Sequence, residues 1–441
     1  MKQDALEIVG RAISSCLRAH QSEACLISTF TGLTRFADNC IHQNVSHQDR
    51  VLEVRVALGQ RVGQATTNRL VPAQITRCCQ KAMDSARAGI PDPDFPGFPA
   101  RAGRLLISRF DNDTYSCSPA KRARLVKEFI GQLSGRHASG ALETTVTEIA
   151  LANSQGIQTW GRFSWAILNS VVEDQGLTTW VSSAKRAVQG INCRGLARSA
   201  VKRLKISGCL TIEPGQYDVV LEPEAVATLM DFLGYLGFGA KAYQEGRSFL
   251  NHRLGTKVAS ESITLWDDAR HRASLGPLFD REGVLKEKVV LIEKGIAKGM
   301  VHDSKTGAKG GVSSTGHAAY FDGGCGPMPV NLVMAPGKDS PSAMVRDMKR
   351  GLLVSRFHYT NVVDFRNTLI TGMTRDGTYL IEKGKPVARV NDLRFTQNIL
   401  DALKKVQAIS RQRKSISDGF GSCVVPAIKI RQFNFTSTSP A

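Results

Sequence analysis

Between Tyr217 and Ala240 the chain reads YDVVLEPEAVATLMDFLGYLGFGA, an apolar strand that runs straight into a helix. Tyr217 to Leu221 is short and β-branched, with Pro214-Gly215 just before it, which is the pattern of a core strand. Glu222-Pro223-Glu224 then supplies a helix start. Proline in the first turn gives up an N–H that the helix would leave unpaired, and carboxylates sit at the positive end of the helix dipole. Ala225, Thr228, Leu229, Phe232 and Leu233 follow at helical spacing, so one face is apolar, and Gly234, Gly237 and Gly239 end the pattern.

The chain has 441 residues, enough for two or three domains with proper cores, and its 42% hydrophobic content is that of an ordinary soluble protein. No apolar run is long enough to span a bilayer. The opening MKQDALEIVGRAISSC reads as an amphipathic helix with acidic residues rather than a signal peptide, so the expected location is cytoplasmic, away from membranes. The ten cysteines are scattered without C-x-x-C spacing, which excludes a zinc ribbon and argues for buried thiols. Net charge is +19, from 58 basic and 39 acidic residues, a balance that suits nucleic acid, an anionic surface or acidic peptides. The densest clusters are Lys121 to Arg124, Arg198 to Lys205 and Lys404 to Lys414, and each reads as the solvated face of a helix. No recognised nucleic-acid motif is present and aromatics are not interleaved with the basic clusters, which disfavours nucleic acid as a partner.

Taken in order, the pattern predicts an α+β fold in three parts. Residues 1–100 form an N-terminal α+β domain: a helix over 4–20, an alternating strand from Val51 to Leu58 with Leu52, Val54, Val56 and Leu58 on one side, a turn at Gly59-Gln60, and a helix over 71–88. After the Pro- and Gly-rich linker 89–104, residues 101–207 form a central domain. It has a helix capped by Ser118, a hairpin turning at 153–156, and a basic helix over 196–206. Residues 208–441 read as a mostly β C-terminal domain. Its predicted parts include a long glycine-rich loop at 307–329, read as a mobile loop beside a cleft, and a turn at His358-Tyr359-Thr360-Asn361. A helix from Thr396 to Ile409 and a final strand from Ala427 to Phe435 complete it.

Several stretches together resemble the TldD/PmbA family, proteins once called modulators of DNA gyrase. They include TRFADNCIHQN (34–44), ANSQGI (152–157), PGQYDVVLEPEAVATLM (214–230), FDREGV (279–284), SRFHYTNVVDFRN (355–367) and TGMTRDGTYLIEKGKPV (371–387), in the family's order across nearly the whole chain. In the TldD branch the matching helix carries HExxxH, two histidines for zinc and a glutamate that takes a proton from metal-bound water, with a cysteine far downstream as a further ligand. Here the helix reads Met230-Asp231-Phe232-Leu233-Gly234-Tyr235. Met230 and Tyr235 stand at the histidine positions and Asp231 at the glutamate position. Thioether and phenol are poor zinc ligands, and Cys423 lies just before the VPAIKI strand, too close to it to match the ligand cysteine.

The chain thus resembles the PmbA branch, also called TldE, which lacks HExxxH. The resemblance implies no catalytic residue and no metal in this chain, with zinc expected in a partner subunit. It further implies a heterodimer with a TldD-like, HExxxH-bearing subunit, or a homodimer, enclosing a chamber for unfolded or extended peptides. His358, Tyr359, Thr371 and Arg375 are the candidate cavity contacts. The alternative is a stand-alone homodimeric peptide-binding protein, or a nucleic-acid or gyrase-associated modulator. Of other motifs, Trp266-Asp267-Asp268 reads as a turn, the nine histidines hold no i, i+4 pair, and neither a G-x-S-x-G nor a P-loop occurs.

Overall fold

A computed structural model describes residues 2–100, 104–206, 208–319, 326–417 and 419–438. The chain builds two large sheets, and the first of them explains how the N-terminal half is arranged. Its strands are β1 (Gln21–Ala37), β2 (Cys40–Leu58), β3 (Arg61–Thr67), β4 (Arg104–Arg109), β5 (His137–Asn153), β6 (Gln158–Asp174) and β7 (Leu177–Lys185). They lie in the order β3-β2-β1-β5-β6-β4, with β7 also on β6. β4 runs parallel to the first half of β6, and β7 runs antiparallel to its second half. Because β1 pairs β5, strands from residues 1–100 and from 101–207 share this one sheet. The two-residue turn Gly59-Gln60 joins β2 to β3, and the Asn153 side chain accepts from Gln155 N and Ile157 N to close the β5–β6 turn.

Side chains alternate between the two faces of such a sheet. Even-numbered residues of β1 and β2 meet helices. Ala24, Leu26, Leu52, Val54 and Val56 pack under α1 (Lys2–Ser15) and α2 (Pro72–Ala88), with Leu58 only partly buried at the edge. The short α3 (Asn112–Tyr115) follows. Phe36, Leu142 and Leu168 then pack under α4 (Pro119–Ile130) and α5 (Cys193–Leu204), α4 being capped by Ser118 as its sequence requires. Odd-numbered residues face the C-terminal half, where Cys25, Ile149 and Leu151 meet Phe279.

The second sheet is assembled around β9 (Gly215–Leu221), which follows the two-residue β8 (Cys209–Leu210). β9 lies between Arg350–Val354, to which it is parallel, and the long strand Ser422–Thr438, to which it is antiparallel. Leu221 thereby pairs with Ile428. α6 (Pro223–Gly237) follows β9 and is buried almost all round rather than on one face. It ends among the expected glycines: Gly234 lies inside it and Gly237 is its last residue, where a Cβ would come within 2.1 Å of the Phe249 ring.

Three expectations in this half need correction. The predicted helix 396–409 is helical only over Ile399–Lys404, between strands Leu393–Asn398 and Val406–Ile416. Pairing of both strands with Ser422–Thr438 overrides the local helical pattern. The glycine-rich stretch begins inside a helix, Ser304–Gly310, closed at its start by a reciprocal cap between Asp303 and Thr306. Further along that stretch His317 and Ala318 are buried, while residues 320–325 lie outside the described residues. His358 to Asn361 is not a turn but an irregularity within the strand Phe357–Asp364, where Tyr359 takes a φ of 50°.

Candidate functional site

The helix α6 sets the three positions singled out in the sequence, and each is engaged differently. Met230 is fully buried among the core of the C-terminal half. Asp231 accepts a hydrogen bond from the Cys423 thiol, Sγ to Oδ1 3.1 Å. Burial and the neighbouring carboxylate push that thiol well above its ordinary range. The backbone of Gly419 approaches so closely that a Cβ there would lie 2.2 Å from Asp231 Oδ2. Tyr235 stacks on Phe420, with centroids 4.9 Å apart at 16°, and also meets Phe365 at 5.8 Å. Phe232 closes the group edge-on to Phe420 at 5.9 Å. Cys423 itself lies inside the final strand rather than ahead of it.

This donor set does not fit zinc. The thioether is sealed in the core, the phenol is part of an aromatic stack, and the thiol is held protonated against the one carboxylate. Among the described residues, no group of three or more His, Cys, Asp or Glu side chains has the arrangement to hold a metal ion.

The outward side of α6 borders a cleft between the two sheets. A cavity of about 250 Å³ is floored by Glu143 of β5, Ile167 and Asn169 of β6, and Trp180 and Ser182 of β7, with Glu224 on its far wall. Trp180, Glu224 and Ile416 also line a narrower recess of about 30 Å³ that reaches Thr228, Asp231 and Arg356. The walls are pinned by charge. Arg356 lies 3.9 Å over the Trp180 ring and is paired with Asp376, which also accepts from Thr178 Oγ1 at 2.9 Å. Glu224 accepts from Ser182 Oγ at 3.1 Å and pairs with Lys414. Arg203 binds Glu222 at 2.7 Å and Ser355 Oγ at 3.2 Å. These contacts join β7 and α5 to the C-terminal half and hold the mouth of the cleft in one geometry.

The four candidate contact residues are not gathered there. His358 and Tyr359 lie on the strand Phe357–Asp364, Thr371 on its neighbour Leu369–Thr374, and Arg375 just beyond. None of the four lines either cavity. Tyr359 is 78% exposed, and Thr371 donates to Phe395 O within its own sheet. Burial and then the charges of Arg356 and Arg375 depress the His358 imidazole. Sequence reasoning missed Trp180, Glu224 and Arg356. Arg356 stands in the SRFHYTN stretch, two residues before the histidine that drew attention, and it is the one that reaches the cleft.

A second polar group is structural. Asp267, read as part of a turn, is instead buried in the strand Leu265–Asp267, while its neighbour Asp268 accepts from Arg270 N and His271 N in a turn. Asp267 accepts from His317 Nε2 at 2.9 Å and from Asn331 N at 2.6 Å, and Thr315 Oγ1 is 2.9 Å from His317 Nδ1. Burial alone would raise the Asp267 carboxyl, yet His317 beside it holds it below the usual range. With Asp267 and His317 both sealed from solvent, the trio ties the glycine-rich stretch to the sheet.

Comparison with known proteins accounts for this architecture. The sequence model of the PmbA/TldA metallopeptidase C-terminal domain matches residues 214–437. The chain is 26% identical to a metalloprotease PmbA homolog of Haemophilus influenzae over 95% of this chain and 94% of that one. It is 27% identical to a metalloprotease of Methanothermobacter thermautotrophicus over 52% of this chain, and 30% identical to a metalloprotease TldD homolog of Buchnera aphidicola over 41%. The chain spans about half the length of the first of these two relatives, 49%, and 37% of the second. The crystal structure of TldE from Thermococcus kodakarensis superposes with a TM-score of 0.87 at 20% identity, covering 98% of this chain and all of that one. From the cleft, the helix and the matched domain together, the chain belongs to the TldD/PmbA metallopeptidase family.

Proposed function

We propose that this chain is the metal-free subunit of a TldD/PmbA-type peptidase, pairing with an HExxxH-bearing subunit that holds zinc and performs hydrolysis. The observation that carries the reading is α6. At the positions where the family's zinc branch has histidines there is a core methionine and a stacked tyrosine, and the acid between them is held by a thiol. In this role the cleft beside α6 forms part of the wall of a peptide chamber, and the exposed edge of the strand Phe357–Asp364 offers backbone groups to an extended peptide. The pinned residues Trp180, Glu224 and Arg356 keep that wall in shape without taking part in bond cleavage.

The test is reconstitution. The chain is purified alone and together with an HExxxH-bearing relative from the same host, and zinc and peptide hydrolysis are measured for each. The reading expects near-zero zinc and no hydrolysis for the chain alone, and chelator-sensitive hydrolysis for the pair. Chelator-sensitive hydrolysis by the chain alone, abolished by Asp231→Ala, overturns it.

A further inference from the structure

We propose that the gap between the two helix pairs on the first sheet is a binding site for a small oxyanion, with Arg122 as its anchoring cation. The proposal does not depend on the peptidase reading. Between the two pairs, α1/α2 and α4/α5, only the short α3 among the described residues reaches the middle of the sheet's even face, where Tyr115 stands edge-on to Phe30 at 5.6 Å. Phe30 and Gly32 of β1, Ser46 and Gln48 of β2, and Thr144 and Val146 of β5 stand opposite one another there. They floor a cavity of about 330 Å³, and Arg122 of α4 forms its wall. Gly32 leaves room for the guanidinium here, since a Cβ would lie 2.2 Å from Arg122 Nη1 and Arg122 would have to shift.

Arg122 belongs to a cluster that reads as a solvated helix face, yet it is only 2% exposed. All of its acceptors are neutral. Nε donates to Thr34 Oγ1 at 3.3 Å and Nη1 to Cys117 O at 2.6 Å. Nη2 donates to Asn44 Oδ1 at 3.2 Å, Val45 O at 3.2 Å and Ser46 Oγ at 3.3 Å. Among the described residues no carboxylate lies within ion-pair distance of it, and one of the two Nη1 N–H groups has no acceptor. A charge withdrawn from water without a counterion is held at a cost, and here the open side of that charge is a polar cavity rather than packed protein. The wall and floor add hydroxyls from Ser46 and Thr144. A planar guanidinium beside neutral donors suits the oxygens of a carboxylate or phosphate group on a small molecule.

Calorimetric titration of the full chain with inorganic phosphate and, separately, succinate tests this at an ionic strength held constant with chloride. Wild type is expected to bind at least one of the two, and whichever binds identifies the source of the oxyanion. Ser46→Asp places a carboxylate beside Arg122 Nη2 as an internal counterion and is expected to weaken that binding by at least about tenfold. Ser46→Asn, the shape of aspartate without the charge, separates bulk from charge and is expected to weaken binding clearly less than Ser46→Asp does. Arg122→Met should also abolish it, and Ser46→Asp decides the matter if Arg122→Met fails to fold. No binding of either anion by wild type, or equal binding by Ser46→Asp, overturns the proposal.

Discussion

Two arginines are buried on opposite faces of the first sheet, one matched by charge and the other by neutral groups. On the odd face Arg281 enters from the C-terminal half and pairs with Glu23 at 3.1 Å and Glu53 at 2.8 Å, while Arg55 pairs with Glu23 at 2.7 Å. Burial opposes the Arg281 charge, and Cys25, Glu23 and Glu53 together outweigh it, so its guanidinium is held above its ordinary range. On the even face burial pushes the Arg122 guanidinium down, with no carboxylate to oppose it. The odd-face network closes an internal seam and matches the Arg281 charge within the chain, although Glu23 Oε2 is left without a hydrogen-bond partner. The even-face arginine also ties a helix to a sheet, but it leaves part of its charge turned toward a cavity. Burial of a cation alone therefore does not reveal its role; what its remaining donors face does.

The largest effect on this contrast comes from Arg281→Met, which leaves Glu53 without its buried partner and Glu23, at 0% exposure, with Arg55 as its one remaining cation. Urea unfolding at neutral pH should show a loss of about 3–5 kcal/mol. Arg122→Met should cost less, about 1–3 kcal/mol in the same measurement, because it leaves unpaired neutral acceptors and no stranded charge. Equal losses would break the contrast.

The neighbour of Arg281 sharpens it through pH. Burial, with Asp280 next, raises the Glu282 carboxyl from 4.5 to about 8. Between those values the folded chain keeps a proton that the unfolded chain releases, so this group's contribution is full below pH 4.5 and lost as pH rises towards about 8. Glu282→Gln should therefore raise the melting temperature at pH 8 relative to wild type and leave it nearly unchanged near pH 4.5. The smallest effect is expected at α6. Phe420→Ala removes the stack on Tyr235 and should cost about 0.5–1.5 kcal/mol, with no change in the anion titration.

Much of the architecture was legible in the sequence because local and long-range preferences agreed. The stretch 217–237 is strand, proline start and helix in both readings, and the turns at 59–60 and 153–156 fall where predicted. Failures came where pairing partners lie far away in sequence. Residues 396–409 carry a helical pattern that the final strand overrides at both ends. The site was half legible. Residue types at 230, 231 and 235 announced the loss of the zinc motif, but the cleft is built by Trp180 and Arg356, whose proximity depends on the packing of two sheets. Arg122 was misread although a signal existed: it shares the helical stripe of Val126 and Phe129, both fully buried, so its spacing pointed inward while its charge suggested solvent.

The pairing of Leu221 with Ile428 also bears on how the protein is made. During synthesis β9 and α6 emerge well before the strand that completes their sheet. Until residues near 430 leave the ribosome, Val219, Val220 and Leu221 present an open, apolar edge, and α6 has no finished core to enter. Contacts so distant in sequence close slowly. Nascent chains halted near residue 400 should therefore be chaperone-bound and aggregation-prone, with the first sheet already folded beside them.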